Sequence, residues 1–168
     1  MFFLAFLPIL VIFGIVGYLV YMGAFLPVPI EERNVGPFHF IYREINGKDF
    51  SLVGNTTREI GELLKQYNFS NVKSFQIFYP EEEKKLSEVG FIVLETVQDL
   101  DGVKIKSIPE NLCMTTTFPF RSSFSFVLGF MKVDPALKFY RQKNSYKKTE
   151  AMVCLDQDTI QYMQPIVK

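Results

Sequence analysis

The chain opens on an unbroken apolar run. No charged side chain occurs before Glu31. About twenty apolar helical residues, rising ~1.5 Å each, cross the hydrocarbon core of a bilayer. The pattern therefore predicts a transmembrane anchor over residues 1–26, with Tyr18 and Tyr21 at its interfacial end. A secretory signal peptide is the competing reading. The absence of a basic residue after Met1, the length of the run and the poor cleavage site at Met22-Gly23-Ala24 favour an uncleaved anchor. Pro27-Val28-Pro29-Ile30 and the charged Glu31-Glu32-Arg33-Asn34 then read as a short, stiff linker over 27–36. Its reach of at most about 35 Å keeps a domain at 37–168 close to the membrane.

From residue 37 the pattern is that of an α+β domain. Aromatic and β-branched residues from Phe38 to Ile45 predict a strand, closed by a turn at Asn46-Gly47. Thr56-x-x-Glu59 matches a capping box, and Ile60, Leu63, Leu64 and Tyr67 recur at helical spacing behind it. Ser74 to Pro80 and Glu88 to Glu95 read as two further strands. The order then repeats. Val103 to Ile108 and Leu112 to Phe118 are strand-like, and Ser122 is placed to cap a helix with Phe124, Val127, Leu128 and Met131 on its apolar side. Asp134-Pro135 should restart or kink that helix. Ala151 to Leu155 and Ile160 to Ile166 form a hairpin across Asp156-Gln157-Asp158. The expected architecture is thus an N-terminal transmembrane helix followed by two strand–helix–hairpin units.

Composition narrows the chemistry. The 168 residues carry 18 basic and 18 acidic side chains, which gives no general affinity for nucleic acid. Cys113 and Cys154 are too few for a disulfide framework and fit buried thiols in a reduced compartment. His39 is the only histidine, so no histidine-based triad or histidine-rich metal site can be assembled. No phosphate-binding glycine loop is present. The charges are unevenly spread. Lys132, Lys138, Arg141, Lys143, Lys147 and Lys148 stand together, while Glu81, Glu82, Glu83, Glu88, Glu95, Asp99 and Asp101 form an acidic group. Either the basic set is a solvated helix face, or Lys138, Arg141, Lys143, Lys147 and Lys148 touch anionic lipid headgroups, at about 1 kcal/mol each. Two sequons, Asn55-Thr56-Thr57 and Asn68-Phe69-Ser70, leave the membrane orientation open.

The turn at Asn46-Gly47, the Phe78-Tyr79-Pro80 strand end and Gly90 in the next strand resemble a GyrI-like effector-binding domain. TTTFPFRSSFSFVLGFMKVDPALKFYRQKN and DTIQYMQPI are in addition similar to the testis-expressed protein 264 family of single-pass endoplasmic-reticulum proteins, which act as ER-phagy receptors. The resemblance implies a cleft between two facing units and a domain on the cytosolic face of the endoplasmic reticulum. GyrI-like domains that bind cationic ligands, or hydrolyse reactive ones, carry a Glu, often with a nearby Tyr, on the penultimate strand; the matching positions here are Val153 and Leu155. Valine neither attracts a cation nor acts as a base, so no catalytic residue, metal or cofactor is expected. The receptors' disordered tail has no counterpart after Lys168, and Phe50-Ser51-Leu52-Val53 and Phe91-Ile92-Val93-Leu94 are weak matches to its aromatic-x-x-aliphatic motif. Direct contact with the autophagy modifier is therefore not expected. The leading expectation is a membrane-anchored adaptor with protein partners. The alternative is a sensor of an apolar small molecule, held in a cleft lined by Tyr42, Phe118, Tyr140 and Val153; a GyrI-like hydrolase ranks third.

Overall fold

The computed structural model describes residues 3–46, 50–69, 71–80, 86–94 and 100–168. Its elements are α1 (Phe3–Tyr21), β1 (Glu31–Val35), β2 (Phe38–Asn46), α2 (Phe50–Gln66), β3 (Lys73–Phe78), β4 (Leu86–Val93), β5 (Lys104–Ile108), β6 (Asn111–Pro119), α3 (Phe124–Lys143), β7 (Ala151–Asp156) and β8 (Thr159–Pro165). All eight strands join one antiparallel sheet in the order β1-β6-β8-β7-β3-β4-β2-β5. It is two three-stranded groups, β6-β8-β7 and β3-β4-β2, fused along β7 and β3 and extended by one strand at each outer edge.

Side-chain alternation divides the sheet into two faces. Ile41 and Val93 bury Ile60 and Leu64 of α2 on one of them. Further along the same face, Met114, Phe118, Val153 and Tyr162 bury Val133 and Leu137 of α3. Among the described residues the opposite face has no helix over it. Even so, Phe40 and Phe75 are fully buried there, together with Phe38, Tyr42, Ile77, Cys113, Met152, Cys154 and Met163. Strands from both groups close over this second cluster, so the sheet curls into a half-barrel with an aromatic interior.

Several local expectations change. Helix α2 begins at Phe50, so Thr56 is not its cap; Thr57 Oγ1 instead donates to the Val53 carbonyl at 2.8 Å, one turn back. The Phe50-Ser51-Leu52-Val53 motif lies in the first turn of this helix, not in an extended loop. Pro135 is absorbed inside a continuous α3, whose buried stripe is Ser125, Gly129, Val133 and Leu137. Phe124, Val127 and Met131, predicted to face the core, are exposed. The stripe escapes a search for large apolar residues because two of its four members are small. Gly129 is required there, since a Cβ would lie 2.2 Å from Tyr162 Oη. Residues 31–35, inside the expected linker, pair with β6 as strand β1, from Glu31 opposite Thr115 to Val35 opposite Asn111. Gly47, Ser70, Glu81, Glu82, Glu83, Glu95 and Asp99 lie outside the described residues.

The expected membrane anchor is overturned. Among the described residues no helix is long and apolar enough to cross a membrane. The transmembrane helix in the expected fold, the integral single-pass partnership and the endoplasmic-reticulum location are accordingly withdrawn. What the structure shows is a helix fastened to the sheet at its C-terminal end. Gly23, at φ 84°, lets the Ala24 N–H donate to the Leu19 carbonyl at 2.9 Å and its own N–H to that of Val20 at 3.0 Å. This is a Schellman end. Met22 is fully buried, Lys132 Nζ donates to the carbonyls of Gly23 and Leu26, and the Arg121 guanidinium lies 5.6 Å from the Tyr21 ring centre.

Two predictions follow from the packing. A Cβ on Gly90 would sit 1.8 Å from the Ile41 carbonyl oxygen on the paired strand β2. Gly90→Ala should cost at least ~3 kcal/mol in urea unfolding or abolish folding; a loss under ~1 kcal/mol would contradict the register. Both thiols of the inner cluster are pushed up to about 11 by burial, with Glu150 adding to the rise at Cys113. They stay protonated in the folded chain, whereas thiols of the unfolded chain ionise near ~8.5. Stability should therefore fall as pH rises from about 9 to 11. At pH 8 an aromatic disulfide reagent should titrate neither thiol until urea is added.

Candidate ligand site on the inner face

The inner face carries a charged group among its aromatic rings. On β4, Val89, Phe91 and Val93 turn toward α2, which places Glu88, Gly90 and Ile92 on the inner face. Glu88 is 3% exposed. Desolvating a carboxylate costs several kcal/mol unless a partner offsets it. The partner comes from the outermost strand. Lys106 of β5 stands opposite Phe40 of β2 in the strand register, and its side chain crosses the inner face to donate from Nζ to Glu88 Oε2.

Three rings surround the ammonium group. Nζ lies 5.0 Å from the centre of Tyr42, 5.7 Å from Phe40 and 5.8 Å from Tyr79. It also donates to Tyr79 Oη at 3.1 Å. Ring faces are negative, and a cation within ~6 Å of them is attracted by about 0.5–2 kcal/mol per ring, more when desolvated. The rings are themselves held in place. Phe40 stacks on Tyr42 at 5.0 Å and meets Phe75 edge-on at 5.1 Å, and Phe75 meets Phe38 the same way. Gly90 is paired with both Tyr42 and Phe75, so no side chain of β4 stands between these two rings. The arrangement is a cation cage with a buried anion as its floor. Nearer the rim, Lys104 pairs with Glu44 at 3.0 Å, and that hydrogen bond and charge raise the lysine pKa.

Of the residues singled out from sequence, only Tyr42 belongs to this group. Phe118 and Val153 are buried on the opposite face against α3. Tyr140 lies on α3, where its hydroxyl donates to Glu32 Oε1 at 3.1 Å beside Tyr146 at 2.9 Å; that bond to a carboxylate raises both phenol pKa values. Tyr140 packs against the same cluster as Phe118 and Val153, so three of the four lie together under α3, while Tyr42 stands on the inner face. Lys138, Lys143, Lys147 and Lys148 are exposed and Arg141 is half-buried, around and after the C-terminal turn of α3. Cations there complement the helix dipole. His39 accepts or donates a 3.0 Å hydrogen bond with Ser107, on the face turned away from the cage. In the sequence Glu88 stands as one of an acidic group. The one available signal was its position: a carboxylate two residues before Gly90, in phase with the inward positions of a strand.

No family model matches the sequence, and no curated protein matches it. Solved structures do. The C-terminal domain of EcmrR has a TM-score of 0.67 at 12% identity, over 85% of this chain and 99% of that one. EcmrR in its DNA complex gives 0.63 at 12% identity, over 92% of this chain and 64% of that one. SAV2435, solved bound to tetraphenylphosphonium, gives 0.61 at 8% identity, over 83% and 94%. The likeness to the ER-phagy receptors gains no support from these comparisons. What the chain shares with these solved structures is the fold.

Proposed function

We propose that this domain is a small-molecule sensor whose ligand is an apolar organic cation, held at the inner face of the half-barrel. The observation that carries the reading is Glu88, 3% exposed, holding an ammonium group among Phe40, Tyr42 and Tyr79. A buried carboxylate selects positive charge, and the rings select a cation with apolar substituents that sheds its water readily. SAV2435, which shares the fold, was solved with such a molecule.

The role is binding without catalysis. The carboxylate is engaged by an ammonium group, and the Ser107–His39 pair points away from it.

Titration calorimetry with tetraphenylphosphonium tests the proposal. The wild-type protein should bind with a heat that Glu88→Gln weakens at least tenfold, about 1.4 kcal/mol, while circular dichroism shows the variant still folded. Equal affinity in the folded Glu88→Gln variant would remove the carboxylate from the site and sink the cationic reading.

A further inference from the structure

Lys106 occupies the place that the proposed ligand would take. We propose that it is a tethered competitor: the domain's own cation, which fills the cage in the ligand-free state and is expelled when an external cation binds. This inference rests on the cationic reading of the site and adds how that site is regulated.

The ion pair is lopsided. The Glu88 side chain is 3% exposed, whereas that of Lys106 is 30% exposed. The anion is built into the fold, and the cation reaches it from the solvent side. Strand β5 is five residues long, lies at the sheet edge and pairs only with β2. The ammonium spans from this edge, past the Tyr42 ring, to a strand two positions further in. Lysine is suited to this use, since a compact charge on four methylenes can swing to water without rearranging the backbone.

A purely structural ion pair is the competing account, and its stability return is small. Replacing a buried pair with apolar groups is often neutral or favourable, while removing one member is costly. The rings argue further for a cage. Packing a structural salt bridge requires no aromatic enclosure, yet three ring centres lie within 6 Å of this Nζ.

Competition by a tethered group sets a threshold. A tether holds its head at an effective concentration of about millimolar or above, and the apparent affinity of a rival falls by the fraction of time the site is free. Simple inorganic cations and small amines gain nothing over the lysine they would displace. A cation bearing aromatic or branched apolar groups gains ring and dispersion contacts that the lysine stem does not make. The plug thus excludes the common cations and passes the bulky, weakly hydrated ones. Expulsion also removes the hydrogen-bonded ion pair between the edge strand β5 and Glu88 on β4, so that binding is registered at the sheet edge.

Two measurements test this with tetraphenylphosphonium as probe. Lys106→Met should bind at least tenfold more tightly than wild type by calorimetry, with Lys106→Gln in its place if the methionine variant does not fold. In the wild-type protein, saturating probe should raise the acetylation of Lys106 by an amine-reactive ester, read by peptide mass spectrometry; a bound ligand would ordinarily protect. Binding seen only in the lysine variants would support the plug in its strongest form. Wild-type binding with unchanged or weaker affinity in the variants, or with Lys106 protected by the probe, would overturn the plug and leave the binding reading intact. Absence of binding in wild type and in folded variants alike would overturn both.

Discussion

The pairing of β3 with β7 is the contact on which the molecule depends. Ser74 to Phe78 run against Leu155 to Ala151, and this ladder alone turns two three-stranded groups into one sheet. It sets Phe75 beside Cys154 and Ile77 beside Met152, so the inner cluster draws side chains from both groups. Neither group could bury that face alone. With no helix over it, each half serves as the cover of the other.

That arrangement explains why a charged site is tolerated in a small domain. Burying Glu88 is unfavourable by itself, and a cation supplied from an edge strand offsets the cost without crowding the centre. The rings do double duty: Phe40 and Phe75 form the dry core, while Phe40 and Tyr42 present their faces to the ammonium. Stability and recognition are drawn from one set of side chains, so the site cannot be softened without loosening the core beneath it.

Strand positions were legible in the sequence because alternation of aromatic and β-branched residues survives without knowledge of partners, as in Phe38 to Ile45. The site was harder to read. Glu88, Lys106 and Tyr79 belong to three stretches that only the sheet order brings together, and a lone Glu or Lys in a strand looks like a solvated side chain. The α3 stripe was missed for another reason: Ser125 and Gly129 are buried because of their small size, while the exposed Phe124 and Met131 advertise a core that is not there. The apolar start of the chain was read by length and composition alone. Those measures do not reveal how α1 ends, with Met22 sunk into the domain and a lysine donating to the carbonyls of Gly23 and Leu26 just beyond the helix.

That fastening has a mechanical consequence. A helix joined to a domain by slack chain transmits nothing, since the slack absorbs displacement before any load arrives. Here the Schellman turn at Gly23, the burial of Met22 and the grip of Lys132 leave no slack between α1 and the junction of β6 with α3. The helix is a lever with its fulcrum at that junction. A torque applied to α1 arrives first at Phe118 and Pro119, whose side chains pack against the glycine at its base, and passes from there into the strand that runs beside β8.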